Sequence, residues 1–245
     1  MKEFLSAVQF LTIIPIKIKD MDERKLSGSM SYFPIAGLLL GLVLSVINNL
    51  FLGLGFSGLP LSIILIISLI IITGGIHLDG LADTADAFLS RKNKEEMLII
   101  MRDSHIGVMG VLALISVILL KISFLYSIGI PSKITALFLM CILSRWSMVF
   151  AMFLFPYARK EGKAKAFIQG INPKIFTLAT IITLICVFVF WKIDGILVFI
   201  ITAISSYLAG KFINSKIGGI TGDTLGALCE INEVIVLLSI IILTI

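Results

Sequence analysis

The stretch Leu61-Ser-Ile-Ile-Leu-Ile-Ile-Ser-Leu-Ile-Ile-Ile-Thr-Gly-Gly-Ile-His77-Leu-Asp79-Gly-Leu-Ala-Asp83-Thr-Ala-Asp86 decides the fold. From Leu61 to Ile76 it carries no charge at all. Then three carboxylates arrive with spacing i, i+4, i+7. On a helix they share one stripe. The first part is apolar enough to sit in a bilayer, and the second is too acidic to stay there. A membrane helix therefore emerges at an acidic edge. Three like charges on one stripe repel each other. A divalent cation, or a cation carrying phosphates, turns that repulsion into binding. No Lys or Arg lies between Lys25 and Arg91, so no local ion pair explains the cluster.

The whole chain repeats the apolar theme. Of 245 residues, 58% are hydrophobic and 14% charged, and the mean hydropathy is +1.11. Soluble domains carry about a quarter charged residues. The composition specifies an all-α, polytopic membrane helix bundle, expected as a single domain over 1–245. The net charge of +5 is read as a topology signal, because no basic tract with interleaved aromatics marks a nucleic-acid surface. Cys141, Cys186 and Cys229 are isolated in apolar stretches, without metal-ligand or disulfide spacing.

Seven apolar segments approach spanning length: 34–54, 61–77, 106–130, 134–155, 175–191, 195–210 and 224–245. Phe4 to Ile16 has no small-residue cleavage site and is read as a retained interfacial or re-entrant segment. Long polar intervals (17–33, 78–105, 156–174, 211–223) alternate with short ones (55–60, 131–133, 192–194). Sixteen Lys and Arg fall on the long-interval side and two, Lys133 and Lys192, on the other. That bias puts the long intervals in the cytoplasm and the C-terminus outside, and the expected location is the cell membrane. Lys121 and Arg145 remain inside spans.

On this layout the other suspicious acids join the first stripe at one membrane edge. Asp103 lies in Met101-Arg-Asp-Ser-His-Ile-Gly107, and Asp223, Glu230 and Glu233 open the last span. Glu230 and Glu233 sit about 10–15 Å inside that helix, a depth that demands a cavity, a partner or an ion. The metal ligands read from this pattern are Asp79, Asp83, Asp86, Asp223 and Glu230, around a divalent cation. Asp83, Asp86 and Asp103 are candidate catalytic carboxylates. His77, Arg102, His105, Arg145, Arg159 and Lys163 are candidate substrate contacts. Structural readings stand beside these. Asp79 could be a helix cap, Asp103 a surface partner of Arg102, and His77 and His105 plain hydrogen-bonding histidines. Arg145 could equally pair with Glu230 or Glu233. The basic interval 157–167 could clamp an anionic substrate or touch anionic lipid. Gly74-Gly75, Gly218-Gly219 and Gly222 precede the acidic clusters, where backbone N–H groups can approach phosphate. The chemistry that follows is phosphoryl-type transfer. A carboxylate-held cation neutralises a diphosphate, and a further carboxylate takes a proton from an attacking hydroxyl. No Ser-His-Asp or Cys-His set suggests a covalent intermediate.

These motifs resemble the cobalamin synthase (adenosylcobinamide-GDP ribazoletransferase) family. The resemblance is carried by Phe10-Leu-Thr-Ile-Ile-Pro15, Phe33-Pro-Ile-Ala-Gly-Leu-Leu-Leu-Gly41, His77 to Asp86, Met101 to Gly107, Tyr157-Ala-Arg159 with Glu161-Gly162, and Gly219-Ile-Thr-Gly-Asp-Thr-Leu-Gly-Ala-Leu-Cys-Glu-Ile-Asn-Glu233. They run end to end in the family's order. The resemblance implies a magnesium-dependent membrane enzyme. It would join adenosylcobinamide-GDP to α-ribazole or its 5′-phosphate, release GMP, and so complete cobalamin. Its partners would be those two substrates and membrane lipid, and homo-oligomerisation is compatible with the pattern. One position departs: His105 stands where the family usually has arginine.

Other classes fit less well. A CDP-alcohol phosphotransferase needs an arginine where Asp83 stands and a second acidic half that is missing. A UbiA-like prenyltransferase expects two D-x3-D motifs, and only Asp79 to Asp83 fits. Transporter acids usually lie near the bilayer midplane, whereas these gather at one edge.

Overall fold

The computed structural model of the chain describes residues 2–16, 23–162 and 164–244. They form an all-helical bundle: α1 (Lys2–Leu11), α2 (Glu23–Gly28), a single 3₁₀ turn (Ser29–Tyr32), α3 (Phe33–Gly53), α4 (Gly58–Thr73), α5 (Ile76–Leu89), α6 (Lys94–Ile100), α7 (Val108–Ser127), α8 (Ile130–Leu154), α9 (Lys165–Gly170), α10 (Pro173–Ile217) and α11 (Gly222–Thr244). Helices α3, α7, α8, α10 and α11 are each long and apolar enough to cross a membrane, and α4 with α5 forms a sixth, bent candidate. At about 1.5 Å per residue the 45-residue α10 would be roughly 68 Å long, over twice a ~30 Å hydrocarbon core. It folds back instead. Trp191 and Lys192 leave helical geometry (φ −148°, ψ 24° and φ 46°, ψ −128°). Both arms then touch the same residue of α8: Trp146 Nε1 donates to Thr180 Oγ1 at 3.1 Å, and its ring lies 4.4 Å from that of Phe199. With the two arms counted separately, the described residues hold seven long apolar helical segments, in the places where the hydropathy pattern puts them.

Two boundaries differ from the sequence expectation. The second span stops at Thr73, not at 77. Gly74 (φ 64°) and Gly75 (φ 68°) are both left-handed, a conformation that glycine adopts without steric cost, and the axis turns by 90° there. Helix α5 therefore runs at right angles to α4, and His77 belongs to it. The interval 78–105 is thus largely helical. Likewise, helix α10 continues to Ile217, into the interval 211–223 expected to be polar loop.

The N-terminal segment contains the short helix α1. It buries Ser6, Ala7, Val8 and Leu11. Beyond it, Ile13 N–H donates to Ile72 O at 2.9 Å, satisfying a carbonyl left open at the end of α4. Helix α8 is the hub. Its apolar window is 83% buried, against 17% for α7 and for α10, which face outward over most of their length. All three cysteines are free, with Cys141 and Cys229 buried.

Inside the bundle, α7, α8 and α11 share an ionic cluster. Lys121 Nζ donates to both Glu230 and Glu233, and Arg145 donates to Glu233. No side chain in it is more than 6% exposed. Two cations meet two anions, so the charges balance where an unpaired one would be most costly.

Candidate active site

The acidic stripe and the start of the last helix meet through a close backbone crossing. A Cβ on Gly80 would lie 2.6 Å from the Asp223 carbonyl oxygen, and one on Gly226 would lie 3.0 Å from the His77 carbonyl oxygen. Only hydrogen fits at Gly80 without a shift. This contact brings Asp79 and Asp83 of α5 beside Asp223 of α11.

A second crossing supplies the positive charge. The segment after α8 pairs with the segment before α11: Ile220 N–H donates to Pro156 O at 2.8 Å and Ala158 N–H to Ile220 O at 2.9 Å. Arg159 follows directly, and its Nη2 donates to Asp223 Oδ2 at 2.6 Å. Both side chains are largely buried, 11% and 23% exposed. Arg159 Nε has no hydrogen-bond partner. Arg102 joins from the α6–α7 loop, Nη2 donating to Glu161 O at 3.3 Å.

Asp83 sits amid this negative charge. Its pKa is pushed up to about 7, first by burial and then by the charges of Asp79, Asp223 and Asp86, with Arg159 opposing. A carboxyl that exchanges its proton near neutrality is suited to acid–base work. Asp79 is exposed and Asp83 half-buried at the bundle end.

The remaining candidates are placed differently. Asp86 accepts hydrogen bonds from Gly107 N–H (2.7 Å) and Gly110 N–H (2.8 Å). It caps α7 from outside, where Gly107 has no side chain to do so. Its third-turn position on the stripe is thereby explained by a structural partner. Asp103 and His105 pair with each other in the exposed loop, Nδ1 to Oδ1 at 2.6 Å. That hydrogen bond lowers the Asp103 pKa and raises that of His105. Glu230 does not stand with the aspartates but on Lys121, and Arg145 stands on Glu233 and on Ser144 Oγ at 2.9 Å. Both were candidates for ligand contact, and burial among opposite charges gives them partners within the protein. His77 is buried, with Nδ1 unpaired. Lys163 lies outside the described residues. Sequence reasoning gave Lys121 no role, although a lysine within a span opposite two glutamates was a sufficient signal.

Among the described residues no three carboxylate, histidine or cysteine side chains converge closely enough to hold a metal ion alone. Magnesium usually takes one or two protein carboxylates and completes its shell with water and substrate phosphates. Asp79, Asp83 and Asp223 supply only oxygen donors, and their mutual repulsion is visible in the raised pKa of Asp83. This donor set fits a magnesium ion that arrives with a phosphate substrate.

Fold and site together define a polytopic membrane protein with a carboxylate-rich, arginine-flanked site at one end of its bundle. The chain matches the family described as cobalamin-5-phosphate synthase over residues 3–241, and it belongs to that family. It is 38% identical over 234 residues to an adenosylcobinamide-GDP ribazoletransferase of Roseiflexus sp. (strain RS-1), covering 94% of this chain and 86% of that relative. It is also 38% identical over 228 residues to the protein of the same name from Desulforamulus reducens (93% and 91% covered). A third relative of that name, from Fusobacterium nucleatum subsp. nucleatum, is 38% identical over 264 residues (96% and 95% covered). No solved structure matches the chain.

Proposed function

We propose that this protein transfers the adenosylcobinamide phosphate group of adenosylcobinamide-GDP to α-ribazole or α-ribazole 5′-phosphate and releases GMP. The observation that carries the mechanism is the juxtaposition of Asp79, Asp83 and Asp223 with Arg159 at one bundle end. An acceptor hydroxyl oxygen attacks the phosphorus next to the corrinoid. The bond from that phosphorus to the bridging oxygen breaks, and GMP leaves with the electron pair. Asp83 takes the hydroxyl proton. Arg159 lies where it can meet the negative charge of the diphosphate, and Asp223 holds it there. Asp79 and Asp223 would hold magnesium, which when bound supplies Lewis-acid neutralisation of the diphosphate. The Lys and Arg bias of the sequence supports a cytoplasmic site on the cell membrane.

GMP release from both substrates by purified protein in nanodiscs tests the reading. Asp83→Asn is expected to lower kcat by about 100-fold or more while the protein still folds. Chelation of divalent cations should stop the wild type. Full turnover by Asp83→Asn would remove the assignment of the base.

A further inference from the structure

Beside the aspartates lies a cavity of about 220 Å³ with a different chemistry. Three phenylalanines from distant segments line it: Phe10 of α1, Phe33 of α3 and Phe167 of α9. The Phe10 and Phe167 rings are 4.6 Å apart, and Phe10 stacks on Phe33 at 5.8 Å and 18°. Phe33 and Phe167 are 0% and 3% exposed, so packing fixes them. Met148 and Met152 extend the apolar lining, and thioether sulfur packs well against flat rings. Diphosphate chemistry has no use for such walls. Yet Asp79 and Asp223 belong to the same cavity, so whatever lies in it touches the reacting end.

The geometry points to this cavity as the subsite for the flat heteroaromatic base of the acceptor, an inference that rests on the transferase reading above. Two arguments fit that occupant. A cavity of about 150 Å³ holds one benzene ring, so about 220 Å³ has room for a fused pair. Finally, a base seated among the phenylalanines leaves its ribose at the aspartates, where the attacking hydroxyl is needed. The guanine of the donor is the other flat base in the reaction. Its several polar edge groups would lose water against phenylalanine and methionine without replacement partners. The walls therefore favour the acceptor.

GMP release in nanodiscs separates these sources, with α-ribazole varied at saturating donor and then the reverse. Phe167→Ala should raise the KM for α-ribazole by roughly ten-fold or more, the scale of one base–aromatic stack, and leave the donor KM within about two-fold. Phe10→Leu is milder, at a half-buried position. It should raise the same KM by a smaller factor, and it keeps the test open if Phe167→Ala does not fold. A rise confined to the donor KM would place guanosine in the cavity and overturn the assignment. Unchanged KM values for both substrates in both variants would do the same. Benzimidazole, used as a probe in equilibrium dialysis, keeps the two readings apart. Wild type that binds benzimidazole more tightly than Phe10→Leu but releases no GMP would sink the transferase reading and support the aromatic subsite. Wild type that releases GMP with an acceptor KM indifferent to both substitutions would sink the subsite alone.

Discussion

Substitution of Glu233 by Gln strikes the buried ionic cluster where it has least redundancy. Glu233 serves two cations, Lys121 and Arg145, whereas Glu230 serves Lys121 alone. In Glu230→Gln each cation keeps a carboxylate. In Glu233→Gln, Lys121 keeps Glu230, but Arg145 keeps only the neutral Ser144 hydroxyl and has Nε unpaired already. Stranding one buried charge costs about 3–5 kcal/mol, so Glu233→Gln is expected in that range and Glu230→Gln clearly below it. Adding Arg145→Gln to Glu233→Gln leaves Lys121 and Glu230 as a balanced pair. The double variant should therefore be more stable than Glu233→Gln alone, with a coupling of about 1–3 kcal/mol. Reversible unfolding in mixed micelles of wild type, Glu230→Gln, Glu233→Gln, Arg145→Gln and the double variant supplies the comparison. The reasoning is refuted if Glu230→Gln is the costlier single change, or if the double variant is the least stable. Turnover adds a second readout. Were Glu230 a metal ligand, Glu230→Gln would abolish activity at unchanged stability.

Three further outcomes are expected. Gly37→Ala should destabilise by about 1–3 kcal/mol, because its Cβ would lie 2.3 Å from the Cys141 carbonyl oxygen, whereas Gly53→Ala, with nothing within 4 Å, should be close to neutral by the same unfolding assay. Imidazole NMR should show His105 titrating above its ordinary 6.5, and Asp103→Asn should return it to about 6.5. The raised His105 pKa means that the pair is fully ionised below 6.5 and is lost as pH rises through the folded value; it is lost again in acid when Asp103 takes its proton, and a midpoint at or below 6.5 would break the assignment. In intact cells, a membrane-impermeant thiol reagent should label Lys192→Cys and not Lys160→Cys, both exposed positions, and the reverse pattern would invert the topology.

The spans were legible because transfer into lipid is additive along a helix, so a run such as 34–54 announces itself whatever it packs against. The stripe of Asp79, Asp83 and Asp86 was legible as a stripe. Its division of labour was not, because Asp86 is claimed by the amides of Gly107 and Gly110, more than twenty positions along the chain. Glu230 was rightly read as needing a partner. Its partner, Lys121, looks in a hydropathy profile like a minor dip in a long apolar run. The right-angle turn after Thr73 was implicit in Gly74-Gly75, but a glycine pair permits a bend without fixing its angle. The aromatic cavity was invisible, since Phe10, Phe33 and Phe167 share no period and meet only after α1 and α9 have docked on the bundle.

The Asp86 bond to the first turn of α7 has a consequence for how this chain can vary. It joins two helices directly, across the sequence between Leu89 and Gly107. The turn from Ser90 to Asn93, ahead of α6, belongs to an excursion whose two ends are already clasped, whereas further along Met97 and Met101 pack into the core and Arg102 reaches the site. Loop-closure cost rises only slowly with length, by about 0.6 kcal/mol per doubling. Residues inserted next to Arg91 or Lys92 should therefore leave the aspartates undisturbed, and this is where an epitope or a reporter domain can be spliced into the enzyme.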